Sequence, residues 1–133
     1  MERAEDMSKY RFEQAEQCLA SSKMLLNAGD YKGAANRSYY CVFHAMRSVM
    51  ALRNVDFGNH GQVMGYFRRE YIKTNMFPME MSDILTVLFD VRNKSDYDDF
   101  YIISKKDVTN QMTSAEFFLV EVQKYLNTKD KAY

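Results

Sequence analysis

The sequence predicts an all-α protein, an up-and-down bundle of four to five helices. Its 133 residues contain one proline and five glycines, so long stretches run without a helix breaker. Apolar residues recur at intervals of three and four along most of those stretches, as an amphipathic helix requires. A hydrophobic content of 47% at this length predicts one domain over 1–133, with frayed ends at about 1–7 and 128–133.

Two long helices are predicted in the first half of the chain, over Ser8–Ala28 and Tyr31–Leu52. Gly29 suits the end of the first helix, because glycine tolerates the left-handed backbone of a C-cap. Asp30 can accept a hydrogen bond from the first turn of the second helix. These two residues therefore predict a tight helix–helix connection.

A third helix is predicted over about His60–Lys73, followed by a break at Thr74–Pro78 where the proline stands. Its charged residues, Arg68, Arg69 and Lys73, are interpreted as a solvated face. A nucleic-acid patch is the alternative that this interpretation leaves open.

The fourth helix is predicted to start at Met79 and to end between Val91 and Tyr97, and the fifth to span about Lys105–Asn127. Ser104 begins a capping box in front of the fifth helix. The connecting loop is predicted to tuck three residues onto the body of the protein: Tyr101, Ile102 and Ile103.

Composition argues against several classes of function. Lysine plus arginine equals aspartate plus glutamate at 18 each, so the overall charge does not indicate a nucleic-acid-binding protein. RNA binding would require a local patch of basic residues, which the charge totals do not exclude. The charged N-terminus lacks the apolar stretch of a signal peptide, and no run is long enough for a membrane span. Cys18 and Cys41 form no disulfide framework and are predicted to be buried thiols. A cytoplasmic protein is expected.

No motif indicates a cofactor or a metal ion. The sequence has no phosphate-binding glycine loop and no nucleophile elbow. Its histidines, His44 and His60, stand far apart, and neither lies in an HExxH pattern. We therefore expect no cofactor and no metal site.

The stretch from Met81 to Phe100 is the first candidate site. Arg92 lies on the same helical face as the apolar Leu85 and Leu88, so it points toward the core and requires a partner or a cleft. One interpretation is a helix end at which Arg92 pairs with Asp96 and a boundary tyrosine follows. The other is a phosphate site, because the guanidinium fork binds phosphate oxygens. In that case Asn93 orients a ligand and Tyr97 donates a hydrogen bond.

The second helix carries a second candidate row. Arg37, Tyr40, His44 and Arg47 follow one another at spacings of three, four and three, and so share one face. This face is either part of a site or a helix edge whose aromatic and histidine side chains satisfy each other. Together with the first stretch it gives the candidate nucleotide- or phosphate-binding residues: Arg92, Asn93, Asp96, Arg37, Tyr40 and His44.

Two segments resemble the HEPN domain family, and most closely its small stand-alone prokaryotic members. Gly29–Met50 resembles the family's second helix, with small residues, paired tyrosines and a phenylalanine–histidine pair. Val87–Asp99 resembles the signature in which an arginine, often followed by asparagine, precedes a histidine by four to six residues. The resemblance implies a homodimer in which the signature residues of two protomers meet in a cleft.

The resemblance also implies an activity. Many members of the family are metal-independent ribonucleases that use the RNA 2′-hydroxyl as nucleophile. Such members often act as toxins paired with a minimal nucleotidyltransferase antitoxin. The sequence thus predicts a toxin-like protein with RNA or nucleotide binding and ribonuclease activity. The alternatives are a catalytically inactive HEPN module that binds a nucleotide or a protein, and a purely structural helical module.

By position, Arg92 corresponds to the signature arginine and Asn93 to the polar residue after it. Tyr97 stands where the family has its histidine, so the resemblance implies Arg92 and Tyr97 as the candidate catalytic residues. A tyrosine side chain ordinarily has a pKa of about 10, which makes it a poor general base and leaves it a proton or hydrogen-bond donor. A tyrosine that the antitoxin can modify in the family would fall at Asp99 and is absent. His44 is a candidate for supplying the imidazole.

Overall fold

The protein is an all-α bundle, as its sequence predicts. A computed structural model describes residues 2–130, which contain five α-helices and no strand. A π-helical turn, Arg68–Ile72, continues the third helix. The α-helices are α1 Glu2–Asn27, α2 Tyr31–Ala51, α3 His60–Phe67, α4 Glu80–Tyr97 and α5 Lys105–Asp130.

The outer helices are longer than the sequence pattern predicts. α1 begins at Glu2 instead of Ser8, and α5 runs to Asp130 instead of Asn127. The predicted frayed ends at 1–7 and 128–133 are therefore helical at 2–7 and 128–130, and the rest of them lies outside the described residues. The physical reason is antiparallel packing, because the first turns of α1 lie against the last turns of α5.

The connection between α1 and α2 confirms both predicted caps. Gly29 adopts a φ of 84°, and the Asp30 N–H donates to the carbonyl of Leu25 at 2.9 Å, which closes a Schellman motif. Asp30 Oδ1 then accepts from the backbone N–H of Gly33 at 2.9 Å. This short connection sets α1 and α2 side by side in antiparallel orientation.

α2 is the central helix, since it contacts each of the other four. Cys41 is buried on it and Cys18 on α1, both as free thiols, as predicted. A buried hydroxyl pair also joins the two helices: Ser22 Oγ lies 2.8 Å from Ser38 Oγ. No helix within the described residues is both long and apolar enough to span a membrane.

The predicted third helix, His60–Lys73, changes its hydrogen-bonding pattern after Phe67. Arg68 is not part of a solvated face, contrary to the prediction. Its Nε donates to Ser82 Oγ at 3.0 Å and its Nη2 to Thr86 Oγ1 at 2.6 Å. Arg68 therefore joins the π-helical turn to α4, a role that helical periodicity does not reveal.

The loop between α4 and α5 only partly follows the prediction. Ile103 is buried and Tyr101 partly so, but Ile102 is 89% exposed because neighbouring residues of an extended segment point to opposite sides. Ser104 caps α5 as predicted, since its Oγ accepts from the backbone N–H of Asp107 at 3.0 Å.

Candidate functional site around Arg92

Arg92 lies where the apolar core between α2 and α4 ends. Leu88 and Leu85, one and two turns earlier on the same face, are buried, and the side chain of Arg92 is only 17% exposed. The helix therefore carries this charge to the edge of the core, where it contacts side chains of α2. An arginine in such a place requires partners that keep it charged.

Two tyrosines of α2 hold the guanidinium group. Arg92 Nη2 donates to Tyr40 Oη at 3.2 Å. The guanidinium carbon lies 5.4 Å from the ring centroid of Tyr39 and 5.6 Å from that of Tyr40. Aromatic rings attract a cation without neutralising it, so these contacts orient Arg92 and leave its charge available.

Asp96, one turn further on, supplies the only carboxylate that pairs with Arg92 among the described residues. Its Oδ2 lies 3.0 Å from Arg92 Nε. The Nε–H is not aimed at that oxygen, however, and Nε is a buried donor without a hydrogen-bond acceptor. The side chain of Asp96 is 34% exposed and can turn toward solvent. Part of the donor capacity of Arg92 is therefore unused.

The other signature residues lie outside this pocket or at its edge. Asn93 Oδ1 is 3.5 Å from Arg92 Nη1, at the limit of a hydrogen bond, and Asn93 also lines a groove between α3 and α4. Tyr97 is 79% exposed at the end of α4, and its hydroxyl makes no hydrogen bond within residues 2–130. Five residues past Arg92, it lies on another face of the helix, so the structure does not bring the two together.

The predicted row on α2 is divided between different contacts. Tyr40 faces Arg92, and the ring of His44 lies 6.0 Å from that of Tyr40. His44 Nδ1 is buried without a partner. Burial, and after it the charges of nearby arginines, lower the pKa of His44 to about 4, so this imidazole is neutral at pH 7.

The two arginines of the row point elsewhere. Arg47 donates twice to Asp56, from Nε at 2.9 Å and from Nη2 at 2.6 Å. Arg37 is exposed and lies near Cys18, where its charge opposes the rise in thiol pKa that burial causes. None of the described contacts joins Arg37 to Arg92, so Arg37 can reach only a ligand that extends beyond the pocket.

Sequence reasoning missed two residues of the pocket, Tyr39 and His60. The Tyr39 hydroxyl lies 2.8 Å from His60 Nδ1, and the imidazole packs on Phe43 with ring centroids 4.1 Å apart. Burial lowers the pKa of His60, and the charges of Arg92 and Arg47 lower it further. Only the packing of α3 on α2 brings His60 here, and spacing along the chain contains no signal for that.

We call this group the arginine pocket, and define it by Arg92, Tyr39, Tyr40, His60 and Asp96. It combines an arginine and an imidazole, and it becomes suited to an anion when the partly exposed Asp96 carboxylate turns away from Arg92. Within the residues that the structure describes, no three His, Cys, Asp or Glu side chains are grouped so that they could hold a metal ion.

Comparison with known proteins places this architecture in a family. A family model described as the HEPN domain matches residues 8–125. A UPF0332 protein of Thermotoga maritima is 26% identical, over 99% of this chain and 100% of that protein. A protein of Methanocaldococcus jannaschii named as a candidate toxin is 29% identical, over 89% of this chain and 80% of its own length. A second protein of that organism with such a name is 26% identical over 62% of each chain.

Proposed function

This chain belongs to the HEPN domain family, and from that membership and the arginine pocket we propose that it is a toxin-like, RNA-binding protein. In this proposal Arg92 binds a phosphate of the RNA backbone. Two relatives named as candidate toxins support the toxin role. The site of action is the cytoplasm.

The observation that carries the proposal is the state of Arg92. Its side chain is mostly buried, it is oriented by Tyr40 and by aromatic rings, and the carboxylate that pairs with it, Asp96, is 34% exposed and can be replaced by a phosphate. A guanidinium held in this way loses little further side-chain entropy when it binds, and it offers the fork geometry that phosphate oxygens accept.

The activity that we propose is metal-independent cleavage of RNA. The 2′-hydroxyl gives its proton to water and attacks the neighbouring phosphorus, while Arg92 stabilises the charge on the phosphate oxygens. The bond from phosphorus to the 5′-oxygen breaks and that oxygen takes a proton from water, which leaves a 2′,3′-cyclic phosphate and a 5′-hydroxyl. A specific observation favours a second candidate, an inactive HEPN module that binds RNA, a nucleotide or a protein. Tyr97, in the position of the family histidine, is 79% exposed and away from Arg92.

We also propose that the protein acts as a homodimer and pairs with a minimal nucleotidyltransferase antitoxin. Large apolar side chains are exposed just after Arg92, including Phe100 at 92% and Ile102 at 89%, and a second protomer would cover such a surface. Light scattering at micromolar concentration tests the dimer, and a monomeric mass would contradict it. A nucleotidyltransferase gene beside this one would support the pairing.

The direct test is RNA binding by an Arg92→Ala variant. We expect its affinity for a fluorescein-labelled single-stranded RNA to fall roughly 30-fold, which corresponds to about 2 kcal/mol for a charge-assisted phosphate contact. Arg69→Ala is the matched control, because it removes the same charge from a side chain that is 63% exposed and pairs with Glu70. Equal losses in the two variants would mean that only net charge matters and would contradict the proposal.

Cleavage is measured on the same proteins with EDTA present. We expect native protein to cut the RNA and Arg92→Ala to be inactive, whereas Tyr97→Phe keeps full activity because Tyr97 makes no contact in the pocket. Tight binding by native protein without any cleavage would instead establish the inactive binding module. Cleavage that persists unchanged in Arg92→Ala would exclude this pocket as the site.

A further inference from the structure

We propose that His60 is the second phosphate ligand of the arginine pocket. In this arrangement Nε2 of His60 donates a hydrogen bond to the RNA phosphate that Arg92 also binds. The inference rests on the proposed function, and it assigns the imidazole to α3, in place of the histidine that α4 lacks.

The first argument is placement. The guanidinium carbon of Arg92 and the imidazole of His60 flank the same pair of tyrosine rings. Arg92 lies 5.4 Å from the centroid of Tyr39 and 5.6 Å from that of Tyr40, and His60 lies 5.8 and 5.9 Å from the same two centroids. Arg92 is also one of the charges that lower the pKa of His60, so the guanidinium and the imidazole belong to one cluster.

The second argument is the hydrogen-bonding state of the imidazole. Tyr39 is fully buried, and within the described residues its hydroxyl has one partner, His60 Nδ1 at 2.8 Å. Burial raises the pKa of Tyr39, so the hydroxyl keeps its proton. Either atom of this pair can be the donor, and we infer that Tyr39 donates, because its buried hydroxyl has no other acceptor among the described residues. The neutral imidazole then carries its own hydrogen on Nε2.

That nitrogen is free to meet a ligand. Nε2 of His60 makes no hydrogen bond within residues 2–130, is not among their buried unpaired atoms, and belongs to a partly exposed side chain. Tyr39 thus has a positioning role: it holds the tautomer that presents an N–H, as partners of ligating histidines commonly do.

His44 does not fit the same role. Its Nδ1 is buried and unpaired, so no partner fixes its tautomer. The ring of His44 contacts Tyr40 and Phe43, whereas His60 also bonds to the Tyr39 hydroxyl. Of the two histidines in the chain, His60 is therefore the one that can share a phosphate with Arg92.

A bound phosphate should raise the pKa of His60. In the free protein, burial and the positive charges nearby keep its pKa below the ordinary value, so it is neutral at pH 7. A bound anion favours the imidazolium and raises that pKa, and RNA therefore binds more tightly as the pH falls through it. The groups that face His60 are Tyr39, Tyr40, His44 and Arg47 from α2 and Arg92 from α4.

The test follows the two histidines by NMR, with a single-stranded RNA hexamer whose 2′-O-methyl groups prevent cleavage. We expect the RNA to raise the pKa of His60 by about one unit or more and to leave that of His44 unchanged. His44→Gln assigns the two imidazole signals. An unchanged His60 pKa in native protein saturated with this RNA would overturn the inference, and this measurement requires no variant in the pocket.

Two substitutions of His60 distinguish the contribution of its hydrogen bond to the phosphate from the contribution of its positive charge. His60→Gln keeps an N–H donor near the position of Nε2, so we expect RNA binding that no longer depends on pH between about 5 and 8. His60→Ala loses the donor as well, and we expect roughly tenfold weaker binding at pH 6. Thermal melting of each variant shows whether it is folded. Native affinity and pH dependence in folded His60→Ala would also overturn the inference.

The outcomes distinguish this inference from the proposed function. If Arg92→Ala binds the hexamer as tightly as native protein, the phosphate site itself is wrong. If Arg92→Ala loses binding while the RNA leaves His60 unaffected, Arg92 binds phosphate without His60, and only this inference fails.

Discussion

The hydroxyl group of Tyr40 offers a focused test of the arginine pocket. Tyr40→Phe removes the oxygen that accepts from Arg92 Nη2 at 3.2 Å and keeps the aromatic ring that lies 5.6 Å from the guanidinium carbon. We expect the variant to fold as native protein does and to bind RNA less tightly, because Arg92 then samples more rotamers before it meets the phosphate.

The size of the effect follows from the geometry. A hydrogen bond to a charged group contributes about 1.5–3 kcal/mol, and we take about 1 kcal/mol because this one is long and partly exposed to solvent. That value corresponds to roughly fivefold weaker RNA binding. Tyr10→Phe is the matched control, since its hydroxyl lies on α1, where the side chain is 55% exposed and bonds to Gln14.

Fluorescence anisotropy with labelled RNA, applied to a double-mutant cycle, is the assay. If the Tyr40 hydroxyl acts through Arg92, its removal should cost nothing further once Arg92→Ala is present. Equal losses from Tyr40→Phe in the native and Arg92→Ala backgrounds would refute this reasoning. No loss in the native background would show that Arg92 does not depend on Tyr40 for its orientation.

Two further expectations follow. Asp96→Asn removes the carboxylate that lies 3.0 Å from Arg92 Nε and that would repel a phosphate. RNA binding should therefore tighten about threefold in the same assay. Weaker binding would mean that Asp96 holds Arg92 in place. Gly29→Ala should lower the free energy of unfolding by about 1 kcal/mol in urea titrations, because φ at this position is 84°. Gly65→Ala lies inside α3 with open space around it, and it should raise the free energy of unfolding by up to about 1 kcal/mol. Equal effects of the two substitutions would contradict the backbone argument.

Local chemistry made much of the fold predictable. Gly29 and Asp30 carry a backbone preference and a capping oxygen that act within one turn, so the connection they form is confirmed in detail. The early start of α1 was not predictable, because packing against α5 sustains its first turns. The prediction that Arg68 belongs to a solvated face is wrong for the same reason, because its hydrogen-bond partners on α4 are distant in sequence.

In the candidate site, too, the features that depend on local sequence were predictable and those that depend on helix packing were not. Periodicity places Arg92 on the core face, and the structure shows a mostly buried side chain there, with Asp96 as its ion-pair partner. Position in the family signature groups Tyr97 with Arg92, but five residues along a helix turn a side chain to another face. His60 enters the pocket only through the packing of α3 on α2, which the sequence pattern does not encode.

A crystal structure of the protein with the 2′-O-methyl RNA hexamer tests the central claim most directly. We predict a backbone phosphate within hydrogen-bonding distance of the Arg92 guanidinium, with the side chain of Asp96 turned toward solvent. RNA bound elsewhere on the surface, with the contacts of Arg92 to Tyr40 and Asp96 unchanged, would contradict the assignment of this pocket as the phosphate site.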